Sequence, residues 1–214
     1  MQCTAACPSK ALEEVSKPMS VDEILEKVLQ DKVFYRRRGG LTVSGGEPTF
    51  QKGVLELLSR TREAGVSTAV ETCGAFAPSM VPQLAACTDL FLYDLKDTDA
   101  ARLKENTGAS LGAVLENLRA LDALGAKTVL RCVLIPEVNL NDAHAKKVAE
   151  VFASLKNCEY VELLPYHPYG LSKSAQLGRE GVQYRQPEPE EVQSFAAALR
   201  KEAVPVKLYG SMTE

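Results

Sequence analysis

Apolar positions along this chain fall into short runs separated by stripes at helical spacing. Ile24, Leu25, Val28 and Leu29 share one helical face behind Ser20-Val21-Asp22-Glu23. A Ser followed three residues later by Glu is a capping box, so a helix is predicted to about residue 31. Leu41-Thr42-Val43-Ser44 reads as a strand that breaks into Gly45-Gly46-Glu47-Pro48, before a helical run at about 53–64 that stops at Gly65. The alternation then continues. Strands are predicted at about 67–71, 89–93, 127–135, 159–164 and 206–209, and helices at about 78–86, 111–124, 142–155 and 188–202. A long loop holding Gly170 and Lys173 precedes the last helix.

Strand–helix units of about 25–35 residues imply a parallel sheet with right-handed crossovers. Near-continuous apolar strands imply a sheet covered on both faces. The fold class expected is α/β, a partial (β/α) barrel resembling a TIM barrel. An open doubly wound sheet would want an early Gly-x-Gly-x-x-Gly and an acidic residue about 20 positions later, and the chain has neither. Polar residues gather where the strands end: Ser44 and Glu47, Glu71 and Thr72, Asp94 and Lys96, and His167. In parallel barrels that rim is the working face.

Composition narrows the picture. At 214 residues, 45% hydrophobic and 25% charged, the chain suits one soluble domain. A net charge of −3 gives no electrostatic case for nucleic acid or an anionic membrane as a partner. No apolar run reaches the ~18 residues of a spanning helix, and Met1-Gln2-Cys3 opens no signal peptide, so a cytoplasmic location is expected. Of six cysteines, Cys73, Cys87, Cys132 and Cys158 lie beside apolar strands and read as buried thiols. Cys3 and Cys7 differ. Cys3-x3-Cys7-Pro8 matches the last two cysteines of a bacterial ferredoxin run, so both are candidate iron–sulfur ligands whose partner cysteines would lie upstream. Arg36-Arg37-Arg38 reads as a solvated loop or a docking patch.

The rim residues offer specific chemistry. Gly45-Gly46 exposes main-chain groups to the polar end of a small ligand, and Glu47 can accept from an ammonium. Asp94 and Lys96, two apart on an extended strand, point to one side; they form an ion pair, or Lys96 meets a ligand carboxylate or forms a Schiff base. Arg131 lies among apolar strand residues and must be paired, with a ligand anion or in an internal salt bridge. His167 is read as a ligand contact and His144 as a surface residue. The set suits a zwitterionic, ribose-containing or phosphorylated small molecule. It forms no hydrolytic triad, and the chain holds no His-Glu-x-x-His metal motif.

Leu41-Thr42-Val43-Ser44-Gly45-Gly46-Glu47-Pro48, Glu71-Thr72-Cys73-Gly74, Asp94-Leu95-Lys96, Arg131 and Leu163-Leu164-Pro165-Tyr166-His167 resemble, in order and spacing, the glycyl-radical enzyme activating enzymes. Cys3, Cys7-Pro8, Met19-Ser20-Val21 and Phe34-Tyr35 resemble the subgroup with a ferredoxin-like insert. The resemblance implies a radical S-adenosylmethionine enzyme on a partial (β/α)6 barrel. In that family a 4Fe–4S cluster binds the methionyl part of S-adenosylmethionine, and electron transfer yields a 5′-deoxyadenosyl radical. The radical takes hydrogen from a glycine of a partner glycyl-radical enzyme, with flavodoxin or ferredoxin as reductant. It further implies that Ser44, Gly45, Gly46 and Glu47 contact the methionyl amine, and that Glu71, Thr72 and Asp94 line a neighbouring polar or cation site. Lys96 would face the carboxylate, Arg131 and Val133 would flank the adenosyl part, and His167 would reach the ribose.

The family's cluster motif, C-x3-C-x2-C after the first barrel strand, matches no three cysteines here. The chain therefore resembles the C-terminal two-thirds of such an enzyme. Residues 1–18 are expected to be the remnant of a ferredoxin-like insert and 19–214 a barrel lacking its first strand. The 41–44 strand would then be an exposed edge, and the chain alone would carry no catalytic residue and no turnover. Two other readings are a non-catalytic remnant that binds S-adenosylmethionine or a partner, and an unrelated barrel lyase using Lys96.

Overall fold

A computed structural model of the chain describes residues 4, 6–9, 11, 16–35, 39–176, 178 and 181–209. In chain order the elements are α1 (Val21–Gln30), α2 (Lys32–Tyr35), β1 (Gly40–Val43), α3 (Val54–Glu63), β2 (Ser67–Thr72), α4 (Val81–Cys87), β3 (Leu90–Asp94), α5 (Ala100–Thr107), α6 (Leu111–Ala123), β4 (Thr128–Leu134), α7 (Asp142–Ala153), β5 (Cys158–Pro165), α8 (Gly170–Gln176), α9 (Pro189–Lys201) and β6 (Val206–Leu208). Among the described residues the six strands form one parallel sheet in the order β1-β2-β3-β4-β5-β6. Strand order equals chain order, and β1 and β6 stay unjoined, so the sheet is an open, partial (β/α) barrel.

Local signals set the element ends. The Ser20 hydroxyl accepts from the Glu23 amide (3.2 Å) and the Glu23 carboxylate accepts from the Ser20 amide (2.7 Å), closing the capping box of α1. Asp99 caps α5 by accepting from the Arg102 amide (2.9 Å), and Gly108 ends that helix in a left-handed conformation. The Asp99 and Gly108 signals were available in the sequence, yet the 100–107 helix was not anticipated, because its eight residues, little more than two turns, bury only Leu103. Helix α8 likewise occupies part of the predicted long loop.

The core sits between the sheet and the helices. Phe91, Tyr93, Leu130, Cys132, Leu134, Val161 and Leu163 pack against Leu58, Leu84, Leu118, Leu121 and Leu199, all with no exposed surface. Full burial of each such side chain is worth roughly 1.5–3 kcal/mol. The other face differs from expectation. Along β2 and β3, buried residues alternate with half-buried Ala69, Glu71, Leu90, Leu92 and Asp94, so the sheet is tightly covered on one face only. An open barrel leaves its inner face accessible, and that face carries the charged residues.

His144 corrects the surface reading. It is 1% exposed, its Nδ1 lies 2.8 Å from the Thr98 hydroxyl, and its ring packs 5.8 Å from that of Phe195. Position 144 shares a helical face with Val148, four residues on, which is the pattern that puts it inside. Burial pushes its pKa down to about 4. Among the described residues no helix is long and apolar enough to cross a membrane.

Candidate functional site at the strand ends

The loop after β1 is built around one carboxylate. Gly45 has φ +138°, a conformation that side chains disfavour, and it turns the chain so that Glu47 points inward while Ser44, Gly45 and Gly46 stay exposed. Glu47 accepts from the Thr49 hydroxyl (2.7 Å), the Thr72 hydroxyl (2.9 Å), the Cys73 amide (2.9 Å) and the Cys73 thiol (3.1 Å). It thereby joins the end of β1 to the end of β2. Burial, and then the Glu47 carboxylate, push the Cys73 thiol up from its ordinary value, so it stands as a neutral donor. The turn behind it admits only glycine at position 74, where φ is +75° and a Cβ would fall 1.9 Å from the Tyr93 hydroxyl. Asn117 fixes this turn by donating to the Gly74 and Phe76 carbonyls, each at 2.9 Å.

A second group runs across the next strands. The register sets Asp94 beside Arg131 and Arg131 beside Glu162 on the inner face. The Arg131 guanidinium reaches Glu71 at 2.5 Å and Asp94 at 2.6 Å, with its Nε donating to Asp94 at 2.7 Å. Lys96 then reaches the other Asp94 oxygen at 3.0 Å. Ser44, at the opposite end, helps to hold the Glu71 carboxyl down. Glu71, Arg131, Asp94 and Lys96 thus form one continuous chain, with Ser44 beside its Glu71 end. Its middle is buried (Arg131 side chain 9% exposed) and its end is open (Lys96 side chain 41%). The hydrogen bond from Arg131 holds the Glu71 carboxyl below the usual carboxylate range. Burial disfavours the Arg131 charge, but Glu71 and Asp94 more than restore it, so its pKa is raised.

Two cavities open on this rim and share Lys96. One, of about 370 Å³, is bordered by Glu47, Phe50, Cys73, Asp94 and Lys96. The other, of about 550 Å³, is bordered by Lys96, Val133, Ile135, Tyr166 and Tyr184. Carboxylate, ammonium and apolar walls therefore lie side by side, an arrangement suited to a ligand with a charged head and a flat apolar body.

Most of the expected site residues come together here. Ser44, Glu71, Asp94, Lys96 and Arg131 share one network, Glu47 and Thr72 share the other, and Val133 lines the larger cavity. The position expected for a cation between Glu71 and Asp94 is filled by the Arg131 guanidinium. His167 stays outside both networks: it is exposed and packs 4.3 Å from the Tyr169 ring. Cys3 lies outside the described residues. The Cys7 sulfur accepts from the Ala11 amide at 3.3 Å and lies 3.5 Å from the Ser9 hydroxyl. Cys73, Thr49, Asn117 and Asn139 had not been singled out for the site. The signal for the asparagines was faint, an amide on a helix face and another in a turn after a strand.

The family implies an iron–sulfur cluster, and the cysteines among the described residues do not gather into a site for one. Cys87 and Cys132 are buried in the core, Cys73 is hydrogen-bonded to Glu47, and no group of three His, Cys, Asp or Glu able to hold a metal occurs among the described residues. The donor set for S-adenosylmethionine, by contrast, fits, with glycine main chain, an ammonium and an apolar cavity in sequence along the rim.

The family model described as the radical SAM superfamily matches residues 6–148. The chain is 42% identical over 182 residues to the isethionate sulfite-lyase activating enzyme of Nitratidesulfovibrio vulgaris, covering 83% of this chain and 59% of that protein. It is 32% identical over 163 residues to the pyruvate formate-lyase-activating enzyme of Clostridium pasteurianum, covering 75% of this chain and 68% of that protein. The crystal structure of a domain of pyruvate-formate lyase-activating enzyme from Bacteroides vulgatus superposes with a TM-score of 0.68 at 25% identity, over 80% of this chain and 99% of that one. The chain spans 59% of the length of two isethionate sulfite-lyase activating enzymes that it matches. By its matched family model and these relatives, the chain belongs to the radical SAM superfamily, among the activating enzymes of glycyl-radical enzymes.

Proposed function

We propose that this chain binds S-adenosylmethionine along the rim, as part of a protein that activates a glycyl-radical enzyme. The continuous chain from Glu71 through Arg131 to Lys96, flanked by two cavities, carries this reading. Ser44 and the exposed main chain of Gly45 and Gly46 receive the methionyl amine. The Glu47 charge lies behind them, its oxygens already occupied by Thr49, Thr72 and Cys73, so it acts by orienting the loop and by its field. Lys96, half-exposed and steadied by Asp94, turns to the ligand carboxylate. Val133 walls the adenosyl side with Tyr166 and Tyr184, Arg131 flanks it, and His167, exposed just after the end of β5, reaches the ribose.

On this reading residues 1–18 are the remnant of a ferredoxin-like insert, with Cys3 and Cys7 as candidate iron–sulfur ligands, and 19–214 are the barrel. The partner would be a glycyl-radical enzyme and the electron donor a flavodoxin or ferredoxin, in keeping with relatives named as activating enzymes. No electron-transfer step is assigned, because no group of three His, Cys, Asp or Glu able to hold a metal occurs among the described residues. Anaerobic reconstitution with iron and sulfide, followed by titration with S-adenosylmethionine, tests both parts. Saturable binding that Lys96→Met weakens about tenfold, about 1.4 kcal/mol, is expected. Absence of binding would overturn the ligand, and about four irons per chain with release of 5′-deoxyadenosine would overturn the cluster statement.

A further inference from the structure

Asn139 lies on the turn after β4 and has no exposed surface. Its amide is saturated. Nδ2 donates to the Lys96 carbonyl (3.0 Å) and to the Val133 carbonyl (2.8 Å), and Oδ1 accepts from the Ile135 amide (2.8 Å). The turn that carries it is itself closed, since the Ile135 carbonyl accepts from the amides of Val138 (3.0 Å), Asn139 (3.0 Å) and Leu140 (3.2 Å). The β3–β4 register ends at Asp94 opposite Arg131, followed by a main-chain bond from the Leu95 amide to the Arg131 carbonyl at 2.9 Å. Where the ladder ends, one planar side chain of fixed size takes over. It ties the backbone of residue 96 to the backbone of residues 133 and 135.

These two backbone points border the larger cavity through different residues: Lys96 on one side, and Val133 with Ile135 on the other. We infer that Asn139 is a positioning residue that sets the separation between the carboxylate-binding and adenosyl-binding ends of the site. The inference rests on the S-adenosylmethionine reading above. A ligand that spans both ends gains from having the second end already in place, so its affinity depends on the spacing. A ligand that fills only one end does not sense that spacing. Asn139 therefore matters to the whole ligand and little to its halves.

Asn139→Asp keeps the shape and the acceptor but turns a carboxylate oxygen toward two carbonyls. Asn139→Ser is smaller and keeps one hydroxyl, and it carries the test if the aspartate variant does not fold. The full chain and each variant are titrated with S-adenosylmethionine, with methionine alone and with 5′-deoxyadenosine alone. The expected result is a tenfold or greater loss for S-adenosylmethionine with less than a threefold loss for each half. Equal losses for all three ligands would mark a merely structural residue and overturn the inference, as would an unchanged S-adenosylmethionine affinity in a folded variant. Failure of the unsubstituted chain to bind S-adenosylmethionine would instead overturn the ligand reading and take this inference with it.

Discussion

Asp122, near the end of α6, and Arg131, on β4, are both buried charges, and they serve opposite ends of the sheet. Asp122 is 8% exposed and accepts from the amides of Lys156 (2.9 Å) and Asn157 (2.7 Å), fixing the turn that starts β5. Every hydrogen-bond partner of its carboxylate belongs to that turn, and the arrangement ends there. Arg131 is equally buried, but its partners Glu71 and Asp94 pass the interaction outward to exposed Ser44 and Lys96. A closed cluster holds a fold together. An open-ended one holds a fold together and also presents oriented charge to a ligand, which is how binding groups are made ready before the ligand arrives.

Breaking the rim should have the largest effect. Arg131→Met strands Glu71 and Asp94 as half-buried carboxylates, and a loss of about 3–5 kcal/mol is expected from urea unfolding at pH 7. S-adenosylmethionine binding should fall with it, and a loss below about 1 kcal/mol would mean that the rim is held by something other than this ion pair.

Acid should act on the rim side as well, through His144. Its folded pKa of about 4 lies below the ordinary value of 6.5, so the unfolded chain binds the extra proton first. Stability is therefore whole above pH 6.5, falls as pH drops toward 4, and is lower by about 2–3 kcal/mol at pH 4.5 from this group alone. Unfolding curves of the parent and His144→Gln at pH 7 and pH 4.5 measure it; equal acid losses in both proteins would remove His144 from the account.

The smallest effect is expected at the floor. Asp122→Asn turns donors toward the Lys156 and Asn157 amides and should cost about 1–2 kcal/mol while leaving S-adenosylmethionine affinity unchanged. A drop in affinity there would erase the distinction between the closed and the open cluster.

Much of this was legible in the residues alone. The strands and long helices follow from apolar periodicity, and the strand-end residues Glu71, Asp94 and Lys96 meet because parallel strands deliver their ends to one rim. The need for Arg131 to be paired also follows from its apolar surroundings. What escaped were polar residues whose role depends on register rather than type. Asn139 looks like an ordinary turn residue until its three hydrogen bonds are seen, and His144 looks solvent-facing unless its spacing to Val148 outweighs its polarity. Glu47 read as a ligand acceptor, whereas its oxygens are engaged by Thr49, Thr72 and Cys73 across a loop closure that sequence spacing does not reveal.

The strands lie in the sheet in the order in which they occur in the chain. During synthesis each new strand can therefore dock on the one just made, with no earlier strand waiting for a distant partner. The two carboxylates that meet one guanidinium pay for this order. When β2 and β3 have paired and β4 is still to come, Glu71 and Asp94 stand as neighbouring like charges on a nascent edge. The arrival of β4 brings Arg131 between them, so a repulsive half-sheet becomes an attractive one at the step that also completes the charged rim.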